Sequence, residues 1–348
     1  MKHTHLHTRL LALLLCCALV LPLSACGEAK STTQQIFAMD TVMDLTAYGK
    51  KADDGINAAI SIINSMDKLL DPENERSKTY EINHAMGSPV VVNEQIAKML
   101  RTALTVYERT NGAFDLTTYP LSKLWGFIDQ NYRVPSDAEI ERLRPCVDMS
   151  KVKLAATDDS ANSLVTMPAD MALSFGAVAK GCASDYAIQA MRAAGVTSGV
   201  VSLGGNVQTL GKKPDGSDWN IAIQDPNDTG SYLGYLTVGE TAVITSGSYQ
   251  RYFTEGGQKY HHILSPTTGR PVNNGLLAVT IVCEDGTLAD CLSTAMFVLG
   301  PQAALNYWRT YGGFEMLLVK TDGHVVLTNG LYGQFTPNGD SYVVDYAS

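Results

Sequence analysis

The chain has 348 residues, 45% of them hydrophobic and 18% charged, enough apolar material for one large core or two intimate ones. Its 26 lysines and arginines face 35 aspartates and glutamates, a formal net charge of −9 with no basic run, which argues against a nucleic-acid partner. Seven cysteines without a CxxC pair disfavour a disulfide scaffold at this size.

Lys2 and Arg9 precede an apolar run from Leu10 to Leu21 that is too short for a permanent membrane helix, and Leu23-Ser24-Ala25-Cys26 follows. That is the form of a bacterial lipoprotein signal, with an ordinary secretory signal as the alternative. Residues 1–25 are then expected to be removed and Cys26 to carry lipid, placing the protein on the extracytoplasmic face of the cell membrane. Residues 26–35 read as a polar tether and residues 36–348 as the folded domain. Cys146, Cys182, Cys283 and Cys291 remain as small buried residues, with a Cys283–Cys291 bridge left open.

β-forming residues from Ile36 to Tyr48 predict a first strand. Apolar residues at spacings of three and four predict helices over 53–70 and 94–109, the second ended by Asn111-Gly112. Asp115 to Phe127 reads as a loop and Ser136 to Leu143 as a short capped helix. Strands are expected over 171–175, 199–203, 219–224, 233–238, 242–245 and 278–283, helices over 179–194 and 287–299, and a hairpin over 316–320 and 325–328. Strand often follows strand without an intervening helix, so the fold class is α+β with mixed or antiparallel sheets packed by helices.

Two segments carry most of the chemistry. Tyr260 to Val272 reads YHHILSPTTGRPV; in a strand His261 and His262 face opposite sides, so one of them enters a given pocket, and Thr268 to Pro271 form a turn with Arg270 exposed. Asp290, Ser293 and Thr294 share one face of a predicted helix, the hard-oxygen set that Mg²⁺ favours. Thr287 and Asp290 equally have capping-box spacing, which makes the aspartate helix chemistry instead. Phe175 to Gly181 reads as a strand-to-helix turn of small residues where Lys180 can meet a phosphate.

Taken in order, Met39 with Thr41, Gly112-Ala113-Phe114-Asp115, Pro120-Leu121, Leu124 to Phe127, AVAKG, SLGGN, ITSGSYQRYF, HHILSPTTGRPV and TLADCLSTAMFVLG resemble the ApbE family of extracytoplasmic FAD:protein FMN transferases over essentially the whole mature length. The resemblance implies an ApbE-like, T-fold-like architecture and transfer of FMN from FAD to a threonine or serine of an acceptor flavoprotein, such as a respiratory or electron-transfer subunit. It implies Mg²⁺ held by Asp290, Thr294, Ser293 and the Ala177 carbonyl. FAD, the substrate, would meet Met39, Ala113, Phe114, Asp115, Lys180, the position of Ser174 and the backbone near Leu264, with His262 and Asp290 catalytic. Asp40, Ser174 and Ser265 stand where the family usually has glycine, aspartate and aspartate. The same site would also suit hydrolysis of FAD to FMN and AMP, or flavin binding without catalysis.

Overall fold

The computed structural model describes residues 30–347. The lipidation position and signal lie outside them. Strands β1 (Ser31–Ala38), β2 (Thr41–Tyr48), β3 (Val90–Asn93), β4 (Lys153–Ala156), β5 (Asn162–Thr166), β6 (Gly199–Leu203), β7 (Asn206–Leu210), β8 (Trp219–Gln224) and β9 (Tyr232–Val238) are followed by β10 (Ala242–Gly247), β11 (Tyr252–Glu255) and β12 (Gln258–His261). The last are β13 (Leu276–Cys283), β14 (Glu315–Lys320), β15 (His324–Thr328), β16 (Phe335–Pro337) and β17 (Val343–Ala347). Helices are α1 (Ala52–Leu70), α2 (Lys78–Asn83), α3 (Glu94–Arg109), α4 (Tyr119–Leu124), α5 (Asp137–Leu143), α6 (Ala179–Ala193), α7 (Gly286–Leu299) and α8 (Pro301–Tyr311).

A nine-stranded sheet in the order β1-β2-β6-β7-β10-β13-β14-β15-β17 organises the molecule, antiparallel except where β15 and β17 run parallel. It separates two cores. On β14, Met316 and Leu318 face the helical core while Leu317 and Val319 face a second core formed with β8 and β9. Both faces are covered, so β14 is apolar throughout rather than alternating. Helix α6 packs against α1 and α7, and α7 lies on β10 and β13. The register gathers Thr41, Leu203, Asn206, Gly247 and Ala278 toward one end of the sheet. The AVAKG turn opens α6, and α7 carries Asp290 across the same end.

Several expectations shift. Ser31 to Gln35, expected in a tether, pair along β2. The single first strand is a hairpin whose turn, Met39 and Asp40, has φ of 50° and 58°. Two positive values in a two-residue loop match the right-handed twist of the flanking strands. Residues 171–175 keep a strand's alternating burial but form no ladder: Leu173 exchanges both backbone bonds with the Asn83 side chain, each at 2.9 Å. The expected loop at 115–127 contains α4, started through a 3₁₀ turn that the Asp115 carboxylate caps. All four described cysteines are free, which excludes the Cys283–Cys291 bridge.

Candidate active site

Helix α7 does not begin with a capping box. Its cap is Asp285, which accepts from Leu288 N at 2.9 Å. A second anion, the buried Asp185 of α6, accepts from Gly286 N, Thr287 N and Thr287 Oγ1 at 2.7, 3.0 and 2.6 Å. Lys98 answers it at 2.7 Å. Two carboxylates at the helix start release Asp290 from capping.

Asp290 is 3% exposed. Its Oδ1 accepts from Asn206 Nδ2 at 2.9 Å and its Oδ2 from Gly181 N at 2.8 Å. No lysine, arginine or histidine pairs with it among the described residues, so the charge is met by dipoles alone. Gly181 permits this approach: a Cβ there would lie 2.0 Å from Gly286 O and 2.6 Å from Asp290 Cβ.

Gly181 is the third residue of α6, so its N–H is one of the first-turn donors that have no acceptor within the helix. It donates to Asp290, and the Ala177 carbonyl, just outside the helix, accepts no hydrogen bond among the described residues. A carboxylate without a counter-charge, a carbonyl that accepts no hydrogen bond among the described residues and the half-buried Thr294 hydroxyl are all hard oxygens. They fit a cation such as Mg²⁺. The described residues contain no group of three His, Cys, Asp or Glu able to hold a metal. Ser293, expected among the ligands, is fully buried, donates to Asp290 O at 2.9 Å and lies 2.8 Å from Ser246 Oγ. It supports the site from behind.

His261 and His262 separate as the strand period requires. His261 is buried, with Nε2 2.8 Å from Val272 O. His262, half-buried, has its backbone N–H and Nδ1 at 3.1 and 3.2 Å from Arg251 O. A carbonyl only accepts, so Nδ1 carries the proton and Nε2 keeps its lone pair. Burial first, then the charge of Arg251, pushes the imidazole down to about 3, and Lys180 contributes in the same direction. Lys180 therefore stands in the electrostatic field of His262. It has no ion-pair partner among the described residues.

The loop after His262 closes by a Leu264–Pro271 bridge, and the Trp125 indole donates to Gly269 O at 2.8 Å. Leu264 is buried there with Leu121 and Ile140, so its side chain is core. Arg270 pairs with Asp137. A cleft of about 410 Å³ runs between Gly112, Asp115, Pro266 and Thr267, bringing two of the singled-out motifs together.

The expected flavin contacts divide. Phe114, 1% exposed, belongs to the helical core, which leaves its backbone as the only contact it can offer. The Asp115 carboxylate is spent on Thr117 N, Thr117 Oγ1 and Met149 N at 2.7, 2.5 and 3.1 Å, and burial raises its pKa. Ala113 donates to Thr110 O at 3.2 Å, beside that cleft. Met39 is held at its turn by an N–H bond to Asp67 at 2.7 Å. Ser174 Oγ accepts from Gly176 N at 3.2 Å and so shapes the AVAKG turn. Sequence spacing did not identify Asn206, Ser246 or Asp185, because each acts across a long separation in the chain. SLGGN and TSGSY were the available signals.

The ApbE family profile matches residues 39–318. The FAD:protein FMN transferase of Klebsiella pneumoniae (strain 342) is 30% identical over 81% of this chain and 87% of its own length. That of Treponema pallidum (strain Nichols) is 30% identical over 88% and 90%. The crystal structure of the ApbE protein of Thermotoga maritima superposes with a TM-score of 0.81 at 30% identity, covering 88% of this chain and all of that one. Apo flavinyl transferase ApbE of Pseudomonas stutzeri gives 0.76 at 27% identity over 89% and 98%. With the family profile spanning most of the chain and the same fold in its solved relatives, this protein belongs to the ApbE family.

Proposed function

We propose that this chain is an FAD:protein FMN transferase, moving FMN from FAD to a threonine or serine hydroxyl of an extracytoplasmic acceptor protein in a Mg²⁺-dependent reaction that releases AMP. The observation that carries the reading is the buried Asp290 carboxylate, which has no cationic partner among the described residues and is held by Gly181 N in the first turn of the helix that the AVAKG segment opens. The names of relatives matched along most of the chain support it. Asp290, the Ala177 carbonyl and Thr294 would hold Mg²⁺, which supplies positive charge against the pyrophosphate and the departing AMP.

The remaining work falls to the chain. Lys180, unpaired, offers a point charge to the phosphates. His262 keeps Nε2 unprotonated, the form that accepts the proton of an attacking hydroxyl. As that oxygen bonds to the FMN-side phosphorus, the bond from this phosphorus to the AMP oxygen breaks. Negative charge arriving with the substrate opposes the fields of Arg251 and Lys180, which strengthens the imidazole as a base.

The signal ending at Cys26 supports a lipid anchor on the extracytoplasmic face of the membrane. Only residues 27–30 would separate lipid from β1, a short spacing that suits acceptors that are themselves membrane-associated.

The test mixes the chain from Gly27 onward with FAD, Mg²⁺ and candidate acceptor domains. A fluorescent acceptor band that survives denaturation is expected. AMP release unaffected by any acceptor would instead identify a hydrolase, and FAD binding without AMP release a carrier.

A further inference from the structure

Three hydroxyls meet behind Asp290. Ser246 Oγ at the end of β10 lies 2.8 Å from Ser293 Oγ and 3.2 Å from Thr294 Oγ1. Each hydroxyl has one proton to give, so the directions can be assigned in turn. Ser293 spends its proton on the Asp290 carbonyl at 2.9 Å. It can therefore only accept from Ser246, which spends its proton there. Ser246 then has none left for Thr294, and Thr294 must donate to Ser246. The chain of bonds runs one way, from Thr294 through Ser246 and Ser293 to the Asp290 carbonyl.

The consequence falls on Thr294. Its proton points back at β10, and its oxygen lone pairs are left facing away from Ser246. A hydroxyl ligates a cation through a lone pair, so a proton directed at the cation would repel it. From this geometry we infer that Ser246 is a positioning residue for cation binding, acting through Thr294 and fixing its hydroxyl in the ligating orientation before the cation arrives. Partners of this kind, one bond behind a ligand, commonly set cation affinity. Ser293 closes the relay, its hydroxyl engaged by the Asp290 carbonyl and Ser246. This inference rests on the proposed cation site and deepens it.

The experiment uses the full chain in detergent without FAD and follows Mn²⁺ binding by electron paramagnetic resonance, with Asp290→Ala as the control that removes the site. Ser246→Ala is expected to weaken Mn²⁺ binding roughly ten-fold. Its metal-free melting temperature should not change, and Ser246→Thr, which keeps the hydroxyl, should bind within about two-fold of the parent, well inside the ten-fold loss. Ser246→Ala binding Mn²⁺ as the parent does would overturn the inference while leaving the cation site standing. Failure of Ser246→Thr to recover affinity, or an affinity loss that only tracks a fall in melting temperature, would overturn it as well. A parent chain that binds no Mn²⁺ removes both the cation site and the role of Ser246.

Discussion

Asn206 and Asp290 stand 84 residues apart in the chain, yet the amide Nδ2 of one lies 2.9 Å from the carboxylate Oδ1 of the other. With Gly181 N on Oδ2, this fixes both oxygens of a buried charge that has no counter-ion among the described residues. Solvating a buried carboxylate by dipoles alone costs about several kcal/mol. Asp290→Asn relieves that cost, and the Asn206 amide can turn its oxygen toward the new NH₂ group. The metal-free melting temperature of the variant should equal or exceed that of the parent, while the Mg²⁺-induced rise disappears. Transfer should fall at least roughly a hundred-fold, the scale of a lost electrostatic stabiliser. A clearly lower metal-free melting temperature would contradict an uncompensated carboxylate.

Asp185 makes the opposite case. Burial pushes its carboxyl up, but Lys98, then Thr287 and Gln208, leave its pKa below the ordinary 3.8. Its stabilising contribution is complete above that value and is lost as the pH falls through the lower folded value. Asp185→Ala leaves Lys98 without its main partner and two helix N–H groups unmet, a loss of about 3–5 kcal/mol. Asp285→Ala, an ordinary cap deletion, should cost about 1 kcal/mol. Urea denaturation at neutral pH separates the two, and equal losses would show that Asp185 does not hold the start of α7.

The helices over 52–70 and 94–109 were legible because each buries one stripe at helical spacing, and the strands over 199–203 and 219–224 because each is short and β-rich. Residues 171–175 misled because alternating burial records the two sides of an extended chain, not what its backbone bonds to; Asn83 takes the place of a neighbouring strand. Strand β7 was missed because its buried Gln208 and Thr209 look polar in sequence and serve Asp185 and the Gly239 and Thr241 carbonyls. At the site, Asp290 and Thr294 were visible through spacing, but their cation role could not be told from capping until Asp285 and Asp185 were seen to occupy the helix start. Asn206 and Ser246 act through side-chain contacts that the fold makes across long separations in the chain, and local spacing carries no such information.

Asp40 occupies a position of φ 58° where the family usually has glycine. Aspartate tolerates the left-handed region better than most residues, yet still pays for its Cβ there. Asp40→Gly should stabilise the protein by up to about 1 kcal/mol, because strain relieved in the turn outweighs the added freedom of the unfolded chain. Chemical denaturation measures it directly. Destabilisation would mean that the Asp40 side chain supports the turn in a way its backbone geometry does not require.

His262 should be neutral throughout the pH range where free histidine titrates. Its folded value near 3 lies below the ordinary 6.5, so between these limits the unfolded chain binds a proton that the folded chain refuses. Stability is complete above pH 6.5 and declines as the pH falls toward 3. Two measurements follow from this sign. The imidazole resonances of His262 should hold their neutral-form shifts at pH 5.5, and the melting temperature of His262→Gln should fall less steeply than that of the parent between pH 6.5 and 5. Lys180→Ala, which removes a lesser contributor, should raise the His262 value while leaving it below 6.5, since burial dominates. A resonance midpoint near 6.5 in the parent would show that Nε2 is exposed to bulk solvent, and the unprotonated base at neutral pH would then owe nothing to the Phe127 ring beside it or to the charges of Arg251 and Lys180.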